Sequence, residues 1–439
     1  MKRGFMVLAA AFSLAAVTGL FAAGQKEGGA PAQGMVNKGP REKIVWLQFA
    51  NQENQKAIDA VVKAFEAKYP IDIEFEFKPG GSEGENLVKT RLAANDMPDL
   101  LTYNSGALFQ VINPDKNLVD LSKEPLADKL LDSFKNVVGS SQAFYGVPIQ
   151  TIPVGGILYN KKVYASLGLS IPKTWNEFMA NCEKIKKAGK VPVIASYKDD
   201  WTAQLLLLAD YYNVNAVDPN FASNYTANKA KFATNPAALR GFEKIQEVYT
   251  KGYINKEPMS TTYDMAQKML AYGEGVHYPM ATWVLAAINE KFPDKVNDIG
   301  FFAEPGDSAD KNGVTLWMPT NVSIPKISKH IEAAKKFLNF FVTSEALTAY
   351  MSVGAPDGVF AIKGVQLPDN VFAAVKDTLP YINANKTAPA LEFLSPIKGP
   401  NLPQICVEAG MGLKSPAECA AEYDRDVEKQ AKQLMLPGW

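Results

Sequence analysis

The sequence predicts an α/β protein built as two lobes, each a sheet with flanking helices, and three observations carry that expectation. The chain has 439 residues, 47% apolar and 21% charged, enough for two lobes of roughly 150–200 residues each. Residues 43–77 read as strand, helix, strand, the opening unit of an α/β layer. A stretch rich in Pro and Gly at 144–160 then carries an extended chain out of one module and into another.

Met1-Lys-Arg3, the apolar run from Phe5 to Leu20 and the small residues Ala22 to Gly24 read as a cleavable export leader, residues 1–24. The run is short for a membrane span, which needs about 20 residues. No cysteine lies at the cleavage region, so a lipidated N-terminal cysteine is excluded there. Residues 25–40 are rich in Gly, Ala and Pro without periodicity and read as a flexible tether. Lys43 to Phe49 is a buried strand, and the polar loop from Ala50 to Gln55 follows it. Ala57, Ile58, Val61, Val62 and Phe65 recur at helical spacing until Lys68-Tyr69-Pro70 stops the helix. Ile71 to Phe77 alternates strictly, the pattern of a second strand. In such a unit the loop at the carboxyl end of the first strand faces the ligand crevice, so Gln48, Asn51, Gln52 and Glu53 are candidate binding residues.

Leu87 to Ala94 reads as a helix, and an Asp96-Met-Pro-Asp99 turn leads into a short strand ending at Tyr103 and Asn104. Leu118 to Leu121 closes the first lobe. Pro148 and Pro153 bracket the crossing, Gly155-Gly156 loosens the backbone, and Ile157 to Tyr159 restarts as a strand. A Thr174-x-x-Glu177 capping box opens the next helix, which runs to Lys187. The strand Val191 to Ala195 delivers Trp201 beside Asp199 and Asp200, a loop tryptophan that a core does not readily explain. Either aspartate suits a polar ligand partner, and Asp200 equally suits a helix cap.

Ala203 to Tyr212 reads as an apolar helix, 213–231 as irregular, and 236–249 and 262–272 as helices. Glu274 to Met280 is extended, and Trp283 stands at the start of a helix reaching Lys291. Asp298 to Pro305 reads as a second crossing strand that returns to the first lobe, and Gly313 to Pro325 as a further strand. Trp317 on that strand faces either the cleft or the core. Helices follow at 332–341 and from Thr343 to Tyr350. Gly354 to Gly358 is a turn expected at the cleft mouth, with Asp357 as a candidate. The tail is helical with Pro breaks, and Ser415-Pro-Ala-Glu418 opens the last helix. The expected lobes are 41–150 plus 302–343 and 151–301 plus 344–439.

Forty-six basic side chains balance 46 acidic ones, so no global field invites nucleic acid. The two histidines, His277 and His330, lie in unrelated contexts and supply neither a His-based triad nor a multi-His metal site; His277 reads as a packed strand residue. Cys406 and Cys419 are near enough in sequence to form a bridge or to remain two buried thiols, and Cys182 reads as a small core residue.

The order Tyr145-Gly-Val-Pro148, then Gly155-Gly-Ile-Leu-Tyr-Asn160-Lys161, then Pro172-Lys-Thr-Trp175-Asn-Glu177 resembles the extracellular solute-binding proteins that deliver sugars to ABC importers. Gly273, Met280 and Trp283 keep part of the pattern G-x-x-A-M-x-x-x-G-x-W of that family, although Thr282 stands near its usual glycine. The resemblance extends over about residues 43–439. It implies a two-lobed periplasmic-binding-protein fold, a periplasmic monomer with no catalysis, cofactor or metal, an oligosaccharide as ligand and the permease subunits as partners. It also implies that Tyr103 and Asn104 face the sugar and that Trp283 lies over the cleft, while Tyr103 also suits an ordinary core position. A sugar receptor needs aromatic faces for C–H patches and amides or acids for hydroxyls, and six tryptophans and 17 tyrosines supply the aromatic part. Two competing readings are a binding protein for another polar solute and a glycan-cleaving enzyme using a carboxylate pair drawn from Glu53, Asp199, Asp200 and Asp357.

Overall fold

The structure, a computed structural model, describes residues 40–50, 52, 54–140 and 143–439, so the expected leader and nearly all of the tether lie outside the described residues. In chain order its strands are β1 (Glu42–Phe49), β2 (Ile71–Lys78), β3 (Leu100–Tyr103), β4 (Gly146–Pro148), β5 (Thr151–Ile152), β6 (Val154–Asn160) and β7 (Val191–Val193). β8 (Gly275–Ala281), β9 (Ile299–Phe302), β10 (Val314–Leu316), β11 (Asn321–Ser323), β12 (Val359–Phe360) and β13 (Thr387–Pro389) follow. They form two main mixed sheets. The first runs β2-β1-β3-β11-β4, and the second runs β13-β10-β6-β8-β7 with β9 also on β6. β5 and β12 make a separate pair between them in sequence.

Each sheet has its own hydrophobic core. Trp46 lies at the centre of the first, with Phe75 and Phe337 rings 5.3 and 5.5 Å away and its indole N–H donated to Thr102 at 2.7 Å. The helices Gln55–Lys68 and Ile331–Phe341 bury their apolar stripes there, through Ile58, Val61 and Phe65 on one and Phe337, Leu338 and Phe341 on the other. The second core gathers Phe178, Phe242, Tyr278, Phe302 and Tyr423 around β6 and β8. Pro279 sits inside β8, and β7 pairs only as far as His277, so the missing N–H of Pro279 leaves no β7 partner unfilled. His277 packs in this core with its Nε2 2.6 Å from the Tyr164 hydroxyl, and burial pushes its pKa down to about 3. Cys182, Cys406 and Cys419 are all buried free thiols.

Local signals of the expected kind stand where the sequence put them. Thr174 and Glu177 close a reciprocal capping box, as do Ser415 and Glu418, and the Thr343 hydroxyl accepts from the Ala346 N–H. Other segments differ. The helix expected from Leu87 starts earlier, at Gly81. The segment 213–231 takes in most of the helix Tyr211–Val217 and all of the helix Phe221–Thr226, held by buried Tyr211, Val214, Phe221 and Tyr225. The apolar helix expected at 203–212 is broken into a 3-10 turn, Asp200–Gln204, and a short helix, Leu205–Ala209.

The crossings also differ. Ile299 to Phe302 does not return to the first sheet; it pairs antiparallel with Ile157 to Asn160 inside the second. The strand stops at Phe302, and Pro305 beyond it accepts from Lys244 inside the second core rather than marking a passage. The return comes in the middle of what reads as one strand: β10 pairs with β6, whereas β11 pairs with β3 and β4. A third passage lies between Ile362 in the first core and Val371 in the second. Packing therefore puts Ala346, Leu347, Tyr350 and Phe360 to Ile362 with the first sheet, and Val314 with the second.

One buried charge network anchors the second core. Lys244 donates to Asp210 and, at 2.7 Å, to the Pro305 carbonyl, and stands 3.6 Å from Glu304; all three side chains are essentially inaccessible. Burial holds the Glu304 carboxyl well above the usual carboxylate range. Removing one partner of such a group strands the other. Lys244→Ala is expected to cost about 3–5 kcal/mol of unfolding free energy, checked by urea denaturation against the unchanged chain.

Candidate functional site

β1, β2 and β3 run parallel, and their carboxyl ends lie side by side. Phe49 is paired with Lys78, which puts both side chains on one face of the sheet. The Lys78 ammonium sits 3.2 Å from the centroid of the Phe49 ring and 5.9 Å from that of Tyr103. Lys78 is 1% exposed, and its Nζ has no hydrogen-bond partner. Burial lowers its pKa to about 7, with the field of Glu85 opposing. Tyr103 is buried with an unpartnered hydroxyl whose pKa burial raises.

Gln48 precedes Phe49 and therefore points to the opposite face. It is buried, its Oε1 accepts the Phe49 N–H at 2.9 Å, and its Nε2 has no partner. Gln52 donates to Asn54 and, at 3.0 Å, to Gln150; Asn54 in turn reaches the Ile149 carbonyl at 2.7 Å and the Tyr350 hydroxyl at 2.8 Å. This loop is thus tied to the first crossing. Asn51 and Glu53 lie outside the described residues. Asn104 is half-buried, and its carbonyl accepts from Asn321 at 3.4 Å.

The second sheet contributes a row of indoles. Trp201 and Trp283 are half-buried with ring centroids 6.4 Å apart, and Trp283 meets Trp317 edge-on at 6.0 Å. Trp317 lies over Gly155, where an added Cβ would come within 2.2 Å of the ring; the glycine is required there for this close approach. The Trp317 N–H donates to Glu392 at 2.9 Å, and Lys398 holds the other oxygen of Glu392 at 2.6 Å. Trp317 thus belongs to the second core and to the row at once.

The acids divide. Asp199 accepts the Tyr263 N–H at 2.7 Å and so serves the start of the helix Tyr263–Tyr272. Asp200 makes no cap; its Oδ1 stands 4.0 Å from where a Cβ on Gly81 would lie, so it faces the first sheet's helix Gly81–Ala93. Asp357 is buried at the β5–β12 pair, where it accepts from the Thr151 hydroxyl. It stands at the passage between the sheets, not at a free turn.

The two halves meet at further points. Lys56 pairs with Glu290 at 3.0 Å between helices Gln55–Lys68 and Val284–Lys291. Gly106, just past β3, packs on the Glu392 carbonyl and the Phe393 ring. Glu85 feels Lys398 and Glu392 from the second half and Lys89 and Lys78 from its own, while burial pushes its carboxyl pKa up. Lys78, Glu85, Glu392 and Lys398 were not among the sequence candidates. Among the described residues no cluster of three or more His, Cys, Asp or Glu is placed to hold a metal, and no helix is long and apolar enough to cross a membrane.

Residues 50–348 match the model of the family described as bacterial extracellular solute-binding protein. The chain belongs to that family. The solute-binding protein is 27% identical to the multiple sugar-binding protein of Streptococcus mutans over 75% of its own chain and 78% of that one. It is 23% identical to the diacetylchitobiose binding protein DasA of Streptomyces coelicolor, covering 89% of each. Its fold matches a chitin oligosaccharide binding protein with a TM-score of 0.76 at 22% identity, over 90% of this chain and all (100%) of the other. A raffinose complex of RafE gives a TM-score of 0.72 at 21% identity, over 89% and 99%. The sequence resemblance and the two-sheet α/β architecture therefore agree, and the solute-binding protein is a binding component, not an enzyme.

Asp357 supplies a pH test of this geometry. Burial raises its pKa from 3.8 to about 6, against the hydrogen bond from Thr151. A raised carboxyl contributes its stability below its unfolded pKa and loses it as pH rises through the folded one. Stability is expected to fall from Asp357 between about pH 4 and pH 6, and Asp357→Asn to flatten that slope. Urea midpoints of both chains across this range check it; an unchanged slope assigns the titration to another group.

Proposed function

We propose that this protein is the substrate-binding component of an ABC importer, that it captures an oligosaccharide between two hinged lobes and hands it to the membrane permease. The observation that carries the reading is the row Trp201–Trp283–Trp317, in which two half-buried indoles, Trp201 and Trp283, continue from the buried Trp317 with ring centroids 6.4 and 6.0 Å apart. Indole faces suit the apolar C–H patches of sugar rings, and Asp200, Tyr103 and Asn104 supply polar groups for hydroxyls. Names of the relatives, among them binding proteins for multiple sugars and diacetylchitobiose, agree with a carbohydrate.

The lobes of this reading are the two sheets with their separate cores, and the three passages between them form the hinge. A ligand held by both lobes stabilises the closed state by the difference of its affinities for closed and open forms. Residues 1–24 serve as the export leader and the chain acts outside the cytoplasm as a monomer, consistent with the extracellular character of the family.

Calorimetry against mono-, di- and trisaccharides tests the reading, with thermal shift as a second readout, since bound ligand raises stability as RT ln(1 + [L]/Kd). Trp283→Ala is expected to weaken binding by about 1.4 kcal/mol or more, tenfold in Kd. An unchanged affinity removes Trp283 from the site.

A further inference from the structure

The described residues contain two deeply buried lysines, and they are opposites. Lys244 has Asp210, Glu304 and a carbonyl around it. Lys78 has the rings of Phe49 and Tyr103 and no hydrogen-bond acceptor: no acid, amide or carbonyl among the described residues accepts from its Nζ. Interior packing does not account for it, because Lys78 ends a strand whose carboxyl edge faces the other half of the molecule.

The groups around it narrow what is missing. Phe49 covers Lys78 from β1, Tyr103 stands beside it from β3, and Glu85 acts on it from the helix Gly81–Ala93 without forming an ion pair. Beyond Glu85 lie Lys89, Lys398 and Glu392. Glu392 is already engaged by Lys398 and by the Trp317 N–H, so the acid on the facing side is taken. What remains on this face is an unpartnered ammonium beside an unpartnered phenol, both donors and both buried. Donors of this kind, one of them cationic, call for an anionic acceptor, since charge-assisted hydrogen bonds are about twice as strong as neutral ones.

We propose that the carbohydrate of this site carries a carboxylate, as a uronic acid unit, and that Lys78 with the Tyr103 hydroxyl receives it. This rests on the carbohydrate reading above. The indole row then holds the neutral part of the chain, and the first sheet reads the charged unit. Sugars without an acid leave the Lys78 ammonium buried without an anion when the lobes close, which selects against them.

The test is calorimetry on the whole mature chain with matched oligosaccharide pairs of glucosyl, galactosyl and mannosyl backbone, each neutral or with one uronic acid unit. At about pH 6, below the lowered pKa of Lys78, an acidic member is expected to bind at least ~10-fold tighter than its neutral mate. The preference shrinks toward about pH 9, as the Lys78 ammonium gives up its proton. Lys78→Met, which keeps the length of the chain and its contact with Phe49, abolishes the preference, and Tyr103→Phe reduces it; melting temperatures confirm that both fold. Neutral members binding as tightly as acidic ones, with Lys78→Met unchanged, overturn the uronate assignment and leave the carbohydrate reading standing. Failure of every sugar in the panel overturns the carbohydrate reading itself, and the assignment with it.

Discussion

The arrangement depends on two bare positions in β6. Gly155 and Gly156 have ring systems lying against them: an added Cβ would stand 2.2 Å from Trp317 on the first and 2.6 Å from Phe301 on the second. A side chain at Gly155 pushes away the ring that joins the crossing to the indole row. It also disturbs the ladder in which Thr315 pairs with Gly155. The pair Gly-Gly reads in the sequence as backbone freedom. In the fold it is the reverse, a strand held in a regular ladder and stripped of side chains so that aromatic rings reach its surface.

From that strand the geometry propagates. β6 is bordered by β8 along one edge and by β9 and β10 in succession along the other, so the first crossing delivers the chain into the middle of the second sheet. The return crossing leaves the same sheet at Leu316, one residue before Trp317, and joins the first sheet at Asn321. The indole row is therefore anchored where the chain passes from one sheet to the other. Movement of one half against the other has to be absorbed by the short segments around it and by the β5–β12 pair.

Electrostatics sorts the buried charges by the same logic of satisfaction. A buried charge is costly unless it is paired and hydrogen-bonded. Lys244 meets that condition inside the second core, and Asp357, pushed upward by burial, meets it in part through Thr151. Lys78 does not, and it stands where the two halves face each other.

Part of the candidate site was legible in local sequence. Trp201 and Trp283 stood out because an indole next to aspartates in a loop, or at the head of a helix after a strand, has no ready place in a core. Trp317 suits two roles by its sequence context, and it holds both a core position and a place in the row. Lys78 is inconspicuous in the sequence for a physical reason: it falls in the polar phase of the alternating strand Ile71–Lys78, whose other members Asp72, Glu74 and Glu76 are solvent-accessible. Only its last member is covered, by a ring from the neighbouring strand. Glu392 and Lys398 lie in a tail with no strong period, and their importance comes from Trp317, far away in the chain.

The sequence by itself determined most of the elements, the capping boxes and the first crossing, because hydrophobic period, cap chemistry and Pro/Gly punctuation act over a few residues, and the ordered motifs from Tyr145 to Glu177 carried the resemblance to the family. The tertiary structure alone decided that Ile299 to Phe302 stays in the second sheet, that the return passes through Trp317, and that Ala346, Leu347, Tyr350 and Phe360 to Ile362 pack on the first core. Those outcomes depend on which strands share an edge and which rings find a bare backbone, contacts between residues remote in the chain that no local window records.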